Sequence, residues 1–439
     1  MGAVFLRDLR HEYPVAVRAT GMHIYDSAGK AYLDMSGGAT VSCLGHQHPD
    51  VIEALQDQIG TMAFAHSAFF TNLPQEKLAD ALSVRFGEEG AKTYFTSGGS
   101  EANETALKMA WQYWRILGQP RKTKIISREH SYHGNTLATL SASGNPARRA
   151  PMSQVLEDWP RIDPCYAYRY QRDDESEAEY AIRAANALEA TLLREGPETV
   201  AALIVETVGG ASLGAVPASA GYFHRIREIC DQYEILLIAD EIMCGTGRTG
   251  TFFAYEQEGF LPDIVTLAKG LGGGYQPLAA TIARHKIAQL FAAEGNAFDH
   301  GHTYVGHAST CAAGAGVVDA IEKYQLLGAV THQGHLLHDR LVEHFRDHPN
   351  VGDIRGRGLL RAIEFVVDKH HKTPLPNGPA LARQLRDTAM RHGLICYPGG
   401  GSPGHGCHIL FAPPFILTDT HIDEMITKLD RILDEVFDV

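Results

Sequence analysis

Five strand-like runs in this 439-residue chain end on residues that can do chemistry. The run DIVTLA (263–268) leads into Lys269 and then into GLGGG. Lysine is among the side chains least often buried without a partner. At the end of a buried strand, desolvation favours its neutral amine, a nucleophile toward carbonyls and a Schiff-base former. An ion pair at a domain rim is the plainer use. ILLIA (235–239) leads into Asp240. A carboxylate there needs something positive beside it: a helix N-terminus, a buried cation or a cationic ring nitrogen. KTYFT (92–96) is followed by Ser97-Gly98-Gly99-Ser100 and a helical pattern. Glycine lets a ligand approach the backbone closely. A helix N-terminus offers unpaired N–H groups and partial positive charge to a phosphate. An ordinary N-cap at Ser100 is the alternative. AALIV (201–205) leads into Glu206, and TKIIS (123–127) into REHSYHGN. Tyr132 in that stretch can lie over a planar ring or simply pack. A phosphate cradle, a partner for a pyridinium and a Schiff-base lysine are together the three handles of pyridoxal 5′-phosphate.

These residues must be brought together, and the pattern of elements says how. Fully apolar strands alternate with helical stretches such as residues 175–195 and 221–233, which predicts a largely parallel sheet buried on both faces. On such a sheet ligands bind outside the carboxyl ends of the strands, where all five stretches lie. We expect an α/β architecture in three parts: an N-terminal segment (1–49), a large domain with a mostly parallel central sheet flanked by helices (50–308), and a smaller α+β domain (309–439). GMHIYDSAGKAYLDM reads as a hairpin turning at Ser27–Lys30, and the N-terminal segment should pack with the small domain.

Composition narrows the function classes. The formal charge of −13 argues against a nucleic-acid surface. No apolar run approaches the roughly 18 residues of a membrane span. The charged N-terminus does not read as a signal peptide, and seven scattered cysteines without CxxC suggest reduced thiols in a cytoplasmic enzyme. Paired histidines (His46/His48, His130/His133, His300/His302) lack the spacing of a zinc site, so no metal is expected. A nicotinamide-dependent dehydrogenase, the alternative from another class, would need a GxGxxG after its first strand, which is not seen.

The ordered series SGGSEAN, SYHG, VET, DEIMCGTGRTG, DIVTLAKGLGGGYQP, HTYVGH and FAPPFILT resembles the class III (ω-type) aminotransferases, of fold type I among pyridoxal phosphate enzymes. The resemblance covers nearly the whole chain. It implies that Lys269 carries the cofactor as a Schiff base and moves the proton. It implies that Asp240 pairs with the ring nitrogen, that Ile242 and Tyr132 cover the two ring faces, and that Gly99 and Ser100 hold the phosphate. Glu206 would sit near the ring's phenolic oxygen, and His133 would have a more structural role. Thr303 would reach the phosphate of the neighbouring subunit, making the active unit a homodimer. The implied reaction moves an amino group from a primary amine or ω-amino acid to pyruvate or 2-oxoglutarate. Epimerase, aminomutase and decarboxylase relatives share the same lysine and aspartate and are the alternatives. The chain departs from the family in the loop CYPGGGSPGHGC (396–407), which holds no arginine where several members use one for substrate carboxylates. Arg248, Arg355 and Arg357 are the replacements considered, with Arg248 expected to be structural.

Overall fold

The computed structural model describes residues 3–401 and 404–437. Seven strands build its central sheet: β1 (Lys92–Thr96), β2 (Lys124–Arg128), β3 (Arg161–Ile162), β4 (Val200–Glu206), β5 (Leu236–Asp240), β6 (Ile264–Leu267) and β7 (Ala279–Ala283). They lie in the order β1-β7-β6-β5-β4-β2-β3. The pairs β2–β3, β2–β4, β4–β5 and β5–β6 are parallel. Strand β7 runs antiparallel to both of its neighbours. The reason is local. Only residues 268–278 separate β6 from β7, and a parallel crossover needs about a dozen residues or more, usually with a helix. The carboxyl end of β7 therefore points away from the edge where the other strands deliver their reactive residues.

Alternation along each strand serves two buried faces. In β5, Leu236 and Ile238 pack with Leu107, Ala110 and Trp114 of the helix Gly99–Ile116. Leu237 and Ala239 pack on the opposite face with Leu188 of the helix Glu177–Glu195 and Phe223 and Ile226 of the helix Tyr222–Gln232. Each fully buried leucine or isoleucine stabilises this sandwich by roughly 1.5–3 kcal/mol. The helix Glu177–Glu195 starts at a capping box, with the Ser176 hydroxyl and the Glu179 carboxylate serving each other's backbone N–H groups.

A second core joins the two ends of the chain. The antiparallel strands Val351–Arg357, Leu360–Asp368, His408–Phe411 and Tyr397–Gly399 form its sheet. The N-terminal hairpin, His23–Asp26 and Ala31–Asp34, turns where Asp26 accepts from the N–H groups of Ala28 and Lys30 at 2.9 Å each. Strand Ala31–Asp34 then pairs in parallel with Leu394–Ile395. Met22, Leu33 and Met35 are buried with Leu394, Ile422 and Leu429 in one cluster. The helix Ala308–Lys323 belongs to both cores: Cys311, Ala315 and Val318 pack toward the large sheet, and Ala313, Val317 and Ile321 toward the second. A buried ionic knot ties the two bodies. Glu364 meets Arg355 at 2.9 Å and Arg169 at 2.8 Å, and Tyr166 donates to the same carboxylate.

Candidate active site

Strand register places Glu206, Asp240 and Thr266 in one row across β4, β5 and β6. Asp240 is buried at the end of β5 and has three donors. Asn103 Nδ2 donates to it at 2.7 Å, His133 Nδ1 lies at 2.8 Å, and the Ile242 N–H donates at 3.1 Å. Asn103 is itself fixed. Its Oδ1 accepts from the Thr266 hydroxyl at 2.7 Å, and its amide also reaches the His133 carbonyl at 2.7 Å. Three segments thus converge on one carboxylate, which meets the cost of burying it.

Lys269 follows β6 in the left-handed backbone region, with φ of 47°. A lysine there is strained by about 1–3 kcal/mol, and such strain concentrates at functional sites. The conformation starts a short 3₁₀ turn, Lys269–Leu271. The glycines after it answer to the chain's own backbone: a Cβ on Gly272 would stand 2.2 Å from the Gln276 carbonyl oxygen. Burial pushes the Lys269 ammonium down to about 8, while Asp240 and Glu206 pull the other way and Arg148 adds to the fall. Glu206 is raised by burial, and Arg128 approaches its carboxylate to 4.0 Å. Glu241, next to Asp240, is pushed up to about 7 by burial despite accepting from Ala254 and Tyr255 N–H groups at 2.7 Å and from Thr207 at 2.9 Å. It holds the turn that follows β5.

Gly99, Ser100, Tyr132, His133, Glu206, Asp240, Ile242 and Lys269 all line one cavity of about 340 Å³. That is the volume range of small-molecule sites. The helix Gly99–Ile116 opens onto it from Gly98 with no side chain capping its N-terminus. Gly99 also lets Ile242 close in, since a Cβ there would lie 2.9 Å from the Ile242 side chain. The Ser100 hydroxyl accepts the Asn135 N–H at 2.9 Å and keeps its proton for another partner. An uncapped helix N-terminus, an amine lowered by burial to about 8, a fixed carboxylate and apolar walls from Tyr132 and Ile242 suit a phosphorylated, aromatic aldehyde. Pyridoxal phosphate fits these residues.

Thr303 is exposed and does not line the cavity of this chain. The three arginines considered for a substrate carboxylate are otherwise engaged. Arg248 is buried and donates to the carbonyls of Leu359 and Pro413. Arg355 pairs with Asp353 at 2.8 Å and with Glu364, and Arg357 with Glu258 at 2.6 Å. Among the described residues no three metal-ligating side chains converge. Sequence reasoning passed over Asn103, although it stands within SEAN, one helical turn beyond Ser100 on the same face. It also passed over Val41, Met243 and Gln276, which line the cavity; the last two stand inside quoted motifs but were given no role.

Comparison with known proteins agrees with this geometry. Residues 7–433 match the aminotransferase class-III family. An uncharacterized aminotransferase of Schizosaccharomyces pombe is 40% identical over 433 residues, spanning 98% of this chain and 94% of its own. Gamma aminobutyrate transaminase 3, chloroplastic, of Solanum lycopersicum is 35% identical, spanning 95% of this chain and 80% of its own. The omega transaminase from Pseudomonas jessenii, solved in complex with PMP, superimposes with a TM-score of 0.90 at 35% identity, covering 97% of this chain and 93% of its own. PMP is the amino form of pyridoxal phosphate. By family match, relatives and fold, the chain belongs to the class III aminotransferases, enzymes that depend on pyridoxal phosphate.

Proposed function

We propose that this aminotransferase takes its amino group from a primary amine or ω-amino acid and delivers it to a 2-oxo acid, pyruvate or 2-oxoglutarate. The observation that carries the reading is the Lys269 amine, lowered by burial to about 8 and lining one cavity with Asp240, which the Asn103–His133 network holds in place. When bound, pyridoxal phosphate supplies an aldehyde that accepts the amino group and a ring that spreads the charge left on the substrate carbon. Lys269 accepts a proton at Nζ and returns it one position away, a task suited to an amine near pH 8. Asp240, fixed by its donors, offers negative charge to a ring N–H. Gly99, Ser100 and the uncapped helix N-terminus hold the phosphate. Tyr132 and Ile242, which line the cavity, would pack against the faces of the ring. Glu206, whose carboxyl burial favours in its protonated form, would stand near the ring's phenolic oxygen. His133 orients Asp240.

The same reading divides the chain into a segment 1–49, a large domain 50–308 and a small domain 309–439, and pairs two copies with Thr303 of each serving the other's cavity. The shared second core supports the division. An address in the cytoplasm is part of it, supported by seven cysteines that are all unpaired. No helix among the described residues is long and apolar enough to cross a membrane.

The test is a panel of primary amines and ω-amino acids with pyruvate or 2-oxoglutarate on the loaded enzyme. The expected result is stoichiometric transfer, with the cofactor's absorbance switching between its aldehyde and amine forms. Turnover that consumes no oxo acid would point instead to epimerisation, amino-group migration or decarboxylation.

A further inference from the structure

Within the proposed function one chemical demand is unmet. An ω-amino acid or 2-oxo acid brings a carboxylate, whose usual partner is a guanidinium fork. Residues 396–407 contain no arginine, and Arg248, Arg355 and Arg357 are committed to carbonyls or carboxylates of the chain itself.

The tandem Arg148-Arg149 sits on the short helix Pro146–Arg149, just beyond the SYHG stretch. Its two members are used very differently. Arg149 Nη1 donates to the carbonyls of Leu140, Ser141 and Ser143 at 3.0, 2.6 and 3.1 Å. Those bonds pin the turn. Asn145 caps it, accepting the Arg148 N–H at 3.2 Å, and its own amide reaches the Ser212 hydroxyl at 3.0 Å. Arg148, on this rigid mount, has no ion pair and no side-chain hydrogen bond among the described residues. Its guanidinium lies over the ring of Tyr132, 4.6 Å from the centroid. Tyr132 lines the cavity beside Lys269. Stacking on an aromatic face fixes the plane of a guanidinium and leaves its N–H edge open. Arg148 does not itself line the cavity but lies beside its Tyr132 wall, close enough to help lower the Lys269 ammonium.

We propose that Arg148 recognises the substrate carboxylate, making it the specificity-determining residue that favours carboxylate-bearing amines and oxo acids over plain amines. The assignment rests on the proposed function, since both half-reactions occur in that cavity. The Arg148 side chain is exposed and, among the described residues, makes no ion pair or hydrogen bond, so its variants should keep the melting temperature of the parent.

The experiment compares single turnovers of the loaded enzyme with β-alanine and with propylamine, which differ in the carboxylate. The ratio of their kcat/KM values should fall roughly tenfold to hundredfold in Arg148→Gln, the range for losing a hydrogen bond to a charged group. Arg148→Lys should recover part of it, because the charge remains but the fork does not. Propanoate, which cannot react, gives a second readout. Its dissociation constant, followed through the cofactor's absorbance, should rise roughly tenfold in Arg148→Gln. An unchanged ratio and an unchanged dissociation constant would overturn the assignment. So would an equal loss for both amines, which would make Arg148 a mere support for Tyr132. A parent enzyme that binds no propanoate overturns it too. A parent enzyme that binds propanoate through Arg148 yet moves no amino group overturns the proposed function and leaves this assignment standing.

Discussion

Lys269 combines two costs, a left-handed backbone and a desolvated amine, and both follow from its place after β6. Replacing it with alanine should cut transfer by on the order of 10⁴, the upper range for losing a positioned proton carrier. Loss of the cofactor's enzyme-linked absorbance band should accompany the drop. The amine also makes a pH prediction for the cofactor-free protein. Its folded value near 8 lies below the ordinary 10.5, so between pH 8 and pH 10.5 the unfolded chain binds the additional proton. Stability should therefore rise with pH across that window, and below pH 8 the cost of Lys269 is complete. Lys269→Met should be more stable than the parent at pH 7, with the advantage fading by pH 10.5, as read from urea unfolding. A difference that does not change with pH would refute the burial argument. Asp240→Asn keeps the shape but removes the charge offered to a ring nitrogen. Its rate should fall on the order of 100-fold, comparable to losing one preorganised electrostatic partner.

At the scale of elements, the site is a meeting of strand ends and one helix. Asn103 projects from the first turns of the helix Gly99–Ile116 and bridges Thr266 of β6, Asp240 of β5 and the His133 carbonyl after β2. Asn103→Leu fills similar space and breaks all three bonds. We expect a loss of about 1–3 kcal/mol in stability, because buried polar groups are left unpaired. Cofactor retention should weaken as well, since Asp240 loses a donor that orients it. Dialysis of loaded protein followed by thermal unfolding separates the two effects. A variant that melts like the parent and holds its cofactor as firmly would remove Asn103 from the network.

Over the whole molecule, the surface near Thr303 is apolar and uncovered. Phe69, Phe70 and Leu73 are 79%, 67% and 86% exposed, and Tyr304 is 64% exposed. The rings form a continuous series, with Phe64 to Tyr304 at 5.9 Å, Phe64 to His66 at 6.3 Å and His66 to Phe69 at 5.7 Å. Patches of this kind on a soluble protein mark contact surfaces. In the proposed homodimer they are covered and Thr303 reaches the other cavity. Sedimentation should give a dimer. Phe69→Glu with Phe70→Glu should yield monomers that lose their cofactor, and Thr303→Val should weaken cofactor binding without dissociating the dimer. A parent monomer with full activity would contradict the shared site.

The residues proposed for the site were legible in the amino-acid order because they follow strand-like runs, and parallel strands gather such ends at one edge, where eight of them line one cavity. The fold class was legible for the same reason: β4, β5 and β6 are apolar except for Glu206 and Asp240 at their ends and Thr266, which suits strands covered on both faces. The antiparallel sense of β7 was not, since LAATIA reads alike in either direction and only the length of the preceding loop decides. Asn103 and Arg148 were equally silent. A polar residue inside a helix and one of two adjacent arginines look ordinary until the chain folds. Distance then gave Asn103 three partners at once and left Arg148 with an aromatic face and no counter-charge. Local order thus settles what chemistry the side chains can do. Which of them share a cavity, and which are spent on the fold, depends on contacts between residues far apart along the chain, which no local pattern encodes.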